Sequence, residues 1–294
     1  MDMHRRWGID FFGDEMKRFF LPCLAAAILC LLLWQGTATA QAVREGLSLC
    51  ARSVIPALFP FMVVVRFSVG CGLGDILPPA SAVAVIGLLS GYPMGAAAVE
   101  QFYRSGRLSR QQAAGLLCCC NQAGPAFILN YLGQTVFGSL RTGLFLWGIH
   151  LFSALVMGIF FFPPSKAVSA LPAARCSPAS ALVAAVTQSV SAMARVCGYV
   201  VLFSVVTGLL RHFGMDAPLL LGALELTCGA GALPRTGAGF VAAAALLGWG
   251  GAAVHCQAAA VLAETDLPLG RYVAAKALQG GISAVLAALA VRWI

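Results

Sequence analysis

An apolar run that breaks in its own middle constrains this chain more than any other feature. Residues 87–96, Gly-Leu-Leu-Ser-Gly-Tyr-Pro-Met-Gly-Ala, interrupt such a run with Gly91, Pro93 and Gly95, and Glu100 and Gln101 follow closely. Unpaired backbone amides in hydrocarbon cost several kcal/mol each. Irregular backbone at membrane depth is therefore tolerated only where protein or a water-filled cavity surrounds it. Residues 222–231, Gly-Ala-Leu-Glu-Leu-Thr-Cys-Gly-Ala-Gly, repeat the pattern in the second half, with Glu225 inside the apolar run. Two broken apolar segments at corresponding places in two halves point to a transporter-like binding site.

Composition agrees. The 294 residues are 60% hydrophobic and 10% charged, with a mean hydropathy of +0.87, whereas soluble domains carry about 25% charged residues. The fold class expected is an all-α polytopic membrane protein, with the lipid bilayer as its first partner. At about 20 apolar residues per crossing, roughly six or seven spans and some shorter pieces fit. A net charge of +8 would suit nucleic acid, but the Lys and Arg residues are spread between apolar runs, as topology signals are. No nucleic-acid partner is expected. The 11 cysteines are scattered through apolar runs and read as small buried hydrophobes. Cys118, Cys119 and Cys120, consecutive on a helix, point in three directions and cannot converge on one metal.

The first span is Phe19 to Trp34, after an N-terminal cytoplasmic segment. Ala38-Thr-Ala40 beyond it mimics a signal-peptide cleavage site, but the polar and aromatic residues ahead of the span favour an uncleaved one. A second span, from about Leu47 to Val69, carries Pro56, Pro60 and Arg66. Ala80 to Leu89 is about half the length of a crossing. It turns at 91–95 and returns as Ala96 to Tyr103, the pattern of a re-entrant hairpin. Ser109, in the basic turn Arg104 to Arg110, is a candidate N-cap. Gln111 to Val136 reads as a span broken at Asn121-Gln-Ala-Gly-Pro125, and Leu140 to Phe162 as a span with His150 in its middle.

After a linker over 163–178, expected to be exposed, the order recurs. A span covers Ala181 to Leu210, a short broken segment Leu219 to Ala232, a span Phe240 to Leu262 broken at Gly248-Trp-Gly-Gly251, and a last span Leu269 to Trp293. The chain thus divides into residues 1–40 (N-terminal segment and first span), a repeat over 41–162, the linker, and a repeat over 179–294. Each repeat holds three spans plus a re-entrant half-hairpin. Because three is odd, the second repeat must start from the opposite face, so two inverted-topology repeats are expected. Residue identities match weakly, Gly87 with Gly222 and Gly124 near Gly251; the order of features carries the argument. A modest excess of Lys and Arg places the N-terminus in the cytoplasm.

Ionisable residues at membrane depth cost at least about 2.5 kcal/mol each and face an interior or a cavity. Arg66, Glu100, His150, Arg195, Glu225, His255 and Lys276 are in that position. The substrate-binding set expected is Glu100, Asn121, Gln122, Glu225 and His255. The backbone breaks at Gly91, Pro93, Gly95, Gly124, Pro125, Gly229 and Gly250 would line it, because freed carbonyls and half-helix ends complement a cation or a polar solute. Pro125 removes a helix hydrogen bond and crowds the preceding turn, which frees carbonyls near Asn121. Blander readings compete. Glu100 could lie at the surface beside Gln101 and Arg104, Glu225 could form an ion pair with Arg195 or Lys276, Pro125 could make a simple kink whose nearby amides pair with neighbouring helices, and His255 could be a packed interhelical hydrogen-bonder.

No catalytic residue, cofactor or metal site is expected, and the chain is not expected to be an enzyme. Gly70 to Gly74 lacks the lysine and the strand of a phosphate-binding loop, and neither GxSxG nor HExxH occurs.

Leu58-Phe-Pro-Phe61, Gly91-Tyr-Pro-Met-Gly-Ala96 and Cys120-Asn-Gln-Ala-Gly-Pro125, in this order and spacing, resemble the YlbJ family of sporulation integral membrane proteins. Gly222 to Thr227 and Leu247 to Gly251 are similar to that family in the second half, and the resemblance spans about residues 47 to 291. It implies a multi-pass protein in the cell membrane of an endospore-forming bacterium, acting in spore-envelope or cortex formation. It also implies a relation to the nucleoside-recognition or Gate domains of nucleoside and ferrous-iron transport proteins. Read with the architecture, the expected function is a transporter or channel-like protein for a small solute or ion, with a midplane site between the repeats. The alternative, from another class, is a non-transporting membrane scaffold. The expected protein partners are other sporulation membrane proteins or further copies of the chain.

Overall fold

The computed structural model describes residues 14–72, 77–163 and 177–294; the expected N-terminal segment over 1–13 and most of the linker, 164–176, lie outside them. Long apolar stretches form helices because a helix satisfies its own backbone in lipid, and no strand occurs among the described residues. α1 (Asp14–Trp34) ends at Gln35, and its segment from Pro22 meets the next helix at 91°. α2 (Gly36–Leu49), a π turn (Cys50–Val54) and α3 (Ile55–Gly70) run on as one helical rod. The π turn ends two residues before Pro56 and contains Arg52, whose carbonyl, four residues back from Pro56, finds no amide there. The second expected span is therefore part of a longer helix that begins at Gly36.

α4 (Pro79–Ser90) and α5 (Met94–Arg104) pack against each other as a hairpin about residues 91–93. α6 (Arg110–Cys120) starts at the expected cap: Ser109 accepts from the Gln112 amide, and the Gln112 side chain accepts from the Ser109 amide. The helix breaks over 121–124 and resumes as a π-helix (Phe127–Val136), a form frequent at functional sites. α7 (Leu140–Phe161) returns along both pieces. α8 (Pro178–His212) is a single helix of 35 residues. α9 (Pro218–Leu224) and α10 (Leu226–Gly231) form a second, shorter hairpin about Glu225. α11 (Gly237–Trp249) and α12 (Ala252–Val261) make one span interrupted at Gly250 and Gly251. α13 (Leu269–Ala290) runs into a closing 3-10 turn (Val291–Trp293).

The α2–α3 rod and α8 lie antiparallel along their whole lengths. Ala42 meets Gly208, Gly46 meets Ser204, and Gly70 meets Ala181. Small residues at each crossing let the backbones approach, which is how helices associate in lipid. After each rod the chain makes a hairpin, a broken span and an intact helix.

Four helical stretches among the described residues are long and apolar enough to cross a membrane: 140–161, 178–212, 237–261 and 269–293. The bent pair at Gln35 makes a fifth. Their outward faces expose Leu155, Ile159, Val183, Val190, Val285 and Leu289, a surface that only lipid would cover. The chain is an all-α polytopic membrane protein. One end of the bundle gathers Arg104, Arg110, Glu264 and Asp266, and Arg271 donates to the Phe161 carbonyl there. The opposite end holds Arg235 on the Val136 carbonyl and Arg141 on that of Trp293.

Candidate functional site

Four backbone breaks converge in the interior. Gly91, at φ +80°, presses against Gly124, and a Cβ there would lie 2.9 Å from the Gly124 nitrogen. This close approach requires glycine on both counts. The hairpin tip is tied to the second half by Tyr92, whose hydroxyl donates to the Leu247 carbonyl at 3.2 Å. In the second hairpin the Trp249 indole donates to the Ala223 carbonyl at 2.9 Å. Gly229 lies against Gly222, and Gly251 lies against Leu226.

Asn121 and Gln122 are fully buried and anchor a polar network. Asn121 Oδ1 accepts from the Ala96 amide at 3.2 Å, and its Nδ2 donates to Tyr272 Oη at 2.8 Å. Lys276 Nζ donates to the Asn121 carbonyl at 3.3 Å, to Gln122 Oε1 at 2.9 Å and to Gln279 Oε1 at 2.7 Å. Gln279 Nε2 donates to Ser153 Oγ at 3.2 Å, and Ser283 reaches the same oxygen at 3.0 Å. The Ala123 amide donates to His150 Nε2 at 3.2 Å. The amides at the Asn121 break are thus paired to neighbouring helices, as the competing reading of a proline kink has it: they meet the Ala96 backbone amide of α5 and side chains of α7 and α13.

Glu225 is buried and pairs with neither Arg195 nor Lys276 among the described residues. Its carboxylate accepts from the Cys228 amide at 2.6 Å and caps α10. Glu100 lies near the surface, where Arg104 bridges it and Glu264 at 3.2 and 2.9 Å. His255 is buried edge-on between the Trp249 and Tyr272 rings, and neither ring nitrogen has a hydrogen-bond partner among the described residues. It is Gln257, about half a turn away on the same helix, that lines cavity space.

Two cavities share Gln257 and Val196. The larger, about 440 Å³, is lined by Arg66, Gln188 and Arg195 along the rods and by Glu100, Arg104 and Glu264 near its mouth. The smaller, about 50 Å³, is lined by Tyr92, Gly124, Glu225 and Thr227, beside Val54 and Val196 midway along the two rods. Arg66 donates to Gln188 Oε1 at 2.6 Å, and Arg195 to Ser191. Neither arginine has a carboxylate partner among the described residues.

The structure therefore divides the five expected site residues among four places. Glu225 lines the inner cavity and Glu100 the outer one, Asn121 and Gln122 belong to the buried network, and His255 packs among aromatic rings. Sequence reasoning passed over the role of Gln279, Ser283, Tyr272 and Ser153. A signal existed in Tyr272, Lys276, Gln279 and Ser283, whose spacing puts four polar groups on one stripe of an apolar helix.

No family model and no solved structure matches the chain. Among curated proteins it is similar to the sporulation integral membrane protein YlbJ of Bacillus subtilis (strain 168). The two are 27% identical over 315 aligned positions, covering 86% of this chain and 77% of the relative.

Proposed function

We propose that this chain is a member of the YlbJ family of sporulation integral membrane proteins, to one of which it is 27% identical over 86% of its length, and that within the sporulating cell it is a transporter or channel-like protein. Its two halves act as inverted-topology, Gate-like repeats around a solute path, and it performs no catalysis. The observation that carries this reading is the pair of cavities sharing Val196 and Gln257, which lead from the bundle end at Arg104 to the breaks at Gly124 and Glu225. Polar cavities at discontinuous helices near mid-depth are where secondary transporters bind their solutes.

Arg66 and Arg195 set the chemistry of the outer cavity. Both Glu100 and Glu264 are engaged by Arg104, neither Arg66 nor Arg195 has a carboxylate partner among the described residues, and the three arginines of the lining outnumber its two carboxylates. A planar guanidinium fork matches carboxylate and phosphate oxygens, which favours an anionic solute over the cation or polar solute that the sequence alone suggested. The second reading, a scaffold for other sporulation membrane proteins, draws on the mutually hydrogen-bonded network around Asn121, Gln122 and Gln279.

The test compares a deletion strain with strains complemented by wild type or by the double variant Arg66→Gln, Arg195→Gln. Solutes of developing spores and mother cells are profiled. Transport predicts that the deletion and the double variant both misplace one anionic solute while the variant protein stays at normal abundance. Identical solute profiles in deletion and wild type would remove transport and leave the scaffold.

A further inference from the structure

Lys276 is fully buried, and no carboxylate among the described residues reaches it. Its ammonium group has three donors, and each meets a neutral oxygen: the Asn121 carbonyl, Gln122 Oε1 and Gln279 Oε1. Asn121 is the residue that ends α6, so the charge sits at the negative end of a helix dipole. The face of the Tyr92 ring lies 5.5 Å from Nζ, within cation–π range. A carbonyl freed at a helix break, amide oxygens and a helix C-terminal end together make the environment in which discontinuous membrane helices hold coupling cations.

We propose that Lys276 is a tethered cation, its ammonium filling a monovalent-cation site built by the broken end of α6 with Gln122 and Gln279. An ammonium is a compact point charge on a flexible four-carbon stem, so it substitutes for a free ion in charge and donates to the oxygens that would coordinate one. The tether also joins the halves: the site belongs to the break after α6, and its occupant comes from α13. The break stays filled whatever the ion content of the surroundings. The proposal does not rest on transport, since it concerns a property of the folded protein alone.

The test uses full-length protein in detergent and compares wild type, Lys276→Ala and Lys276→Met. Each is unfolded thermally in sodium, potassium, ammonium or choline chloride at matched ionic strength. Wild type should unfold at one temperature in all four salts. Lys276→Ala leaves both the oxygens and the space of the stem, so it should unfold earlier in choline. Sodium or ammonium should restore it saturably, by at least about 2 °C, the shift that roughly 1 kcal/mol produces in a chain of this size. Lys276→Met refills the space without a charge and should unfold early in every salt. The proposal is overturned if Lys276→Ala gains no more from sodium or ammonium than from choline. It is equally overturned if Lys276→Met gains as much as Lys276→Ala, if wild type shows a sodium-specific shift, or if Lys276→Ala cannot be recovered in any of the salts.

Discussion

Gly95→Ala should destabilise this protein although it adds one methyl group to a helix. Gly95 lies in the first turn of α5, pressed on the end of α6. A Cβ there would sit 2.7 Å from the Asn121 Cα and 2.7 Å from the Cys120 carbonyl carbon, and closer still to the Cys120 oxygen. Carbon atoms pack at about 3.5–4.0 Å, so the overlap approaches an ångström, and every atom it meets is backbone. Neither α5 nor α6 can relieve it by turning a side chain. Overpacking of this kind costs up to about 3 kcal/mol. Alanine recovers about 1 kcal/mol through helix propensity, leaving a loss of about 2 kcal/mol, or roughly 4–8 °C in unfolding temperature. The strain also bears on Asn121, whose carbonyl and side chain hold Lys276, Tyr272 and the Ala96 amide.

The assay is thermal unfolding in detergent beside Gly148→Ala, the matched control. Gly148 is a helical glycine of α7 whose added Cβ would meet nothing within 4 Å, so that variant should gain up to about 1 kcal/mol. Should Gly95→Ala unfold at or above the wild-type temperature while the control behaves as stated, the packing of the hairpin on the α6 break is wrong.

Three further outcomes are expected. Glu225→Gln keeps an oxygen for the Cys228 amide and leaves no cation unpaired, so abundance in the membrane should stay normal while sporulation is impaired; normal spores at normal abundance would remove Glu225 from the site. Ser109→Ala should cost about 1 kcal/mol by removing the cap of α6, read as earlier thermal unfolding, and an unchanged melt would count against the cap. At the exposed loop before α13, a hydrogen bond from the Tyr103 hydroxyl and the nearby Arg110 hold the Asp266 carboxyl below its usual range. A carboxylate depressed in the fold stabilises above its unfolded pKa, about 3.9, and that stabilisation is lost as pH falls through the lower folded value. The gap in unfolding temperature between wild type and Asp266→Asn should therefore hold near neutrality and close in acid; a gap that persists at the lowest pH would refute the pairing.

Much of this architecture is local and was legible residue by residue. Gly91, Pro93, Pro125 and Gly250 interrupt apolar runs beside further Gly or polar residues, and such clusters punctuate a helix where a lone proline such as Pro60 does not. Ser109 and Gln112 cap α6 by contacts three residues apart. Apolar length set the helices on either side, and the repeated order of rod, hairpin, broken span and helix could be counted along the chain. Partners were another matter. Lys276 donates to Gln122 across 154 residues, and no spacing rule connects them. The charges at 195, 225 and 276 invited an ion pair, yet Glu225 turns to the amide of Cys228 and Lys276 to neutral oxygens. That choice belongs to tertiary packing. Once α13 lies beside α6 and α7, Lys276 meets the broken end of α6, because a buried charge takes whichever oxygens the neighbouring helices bring within reach.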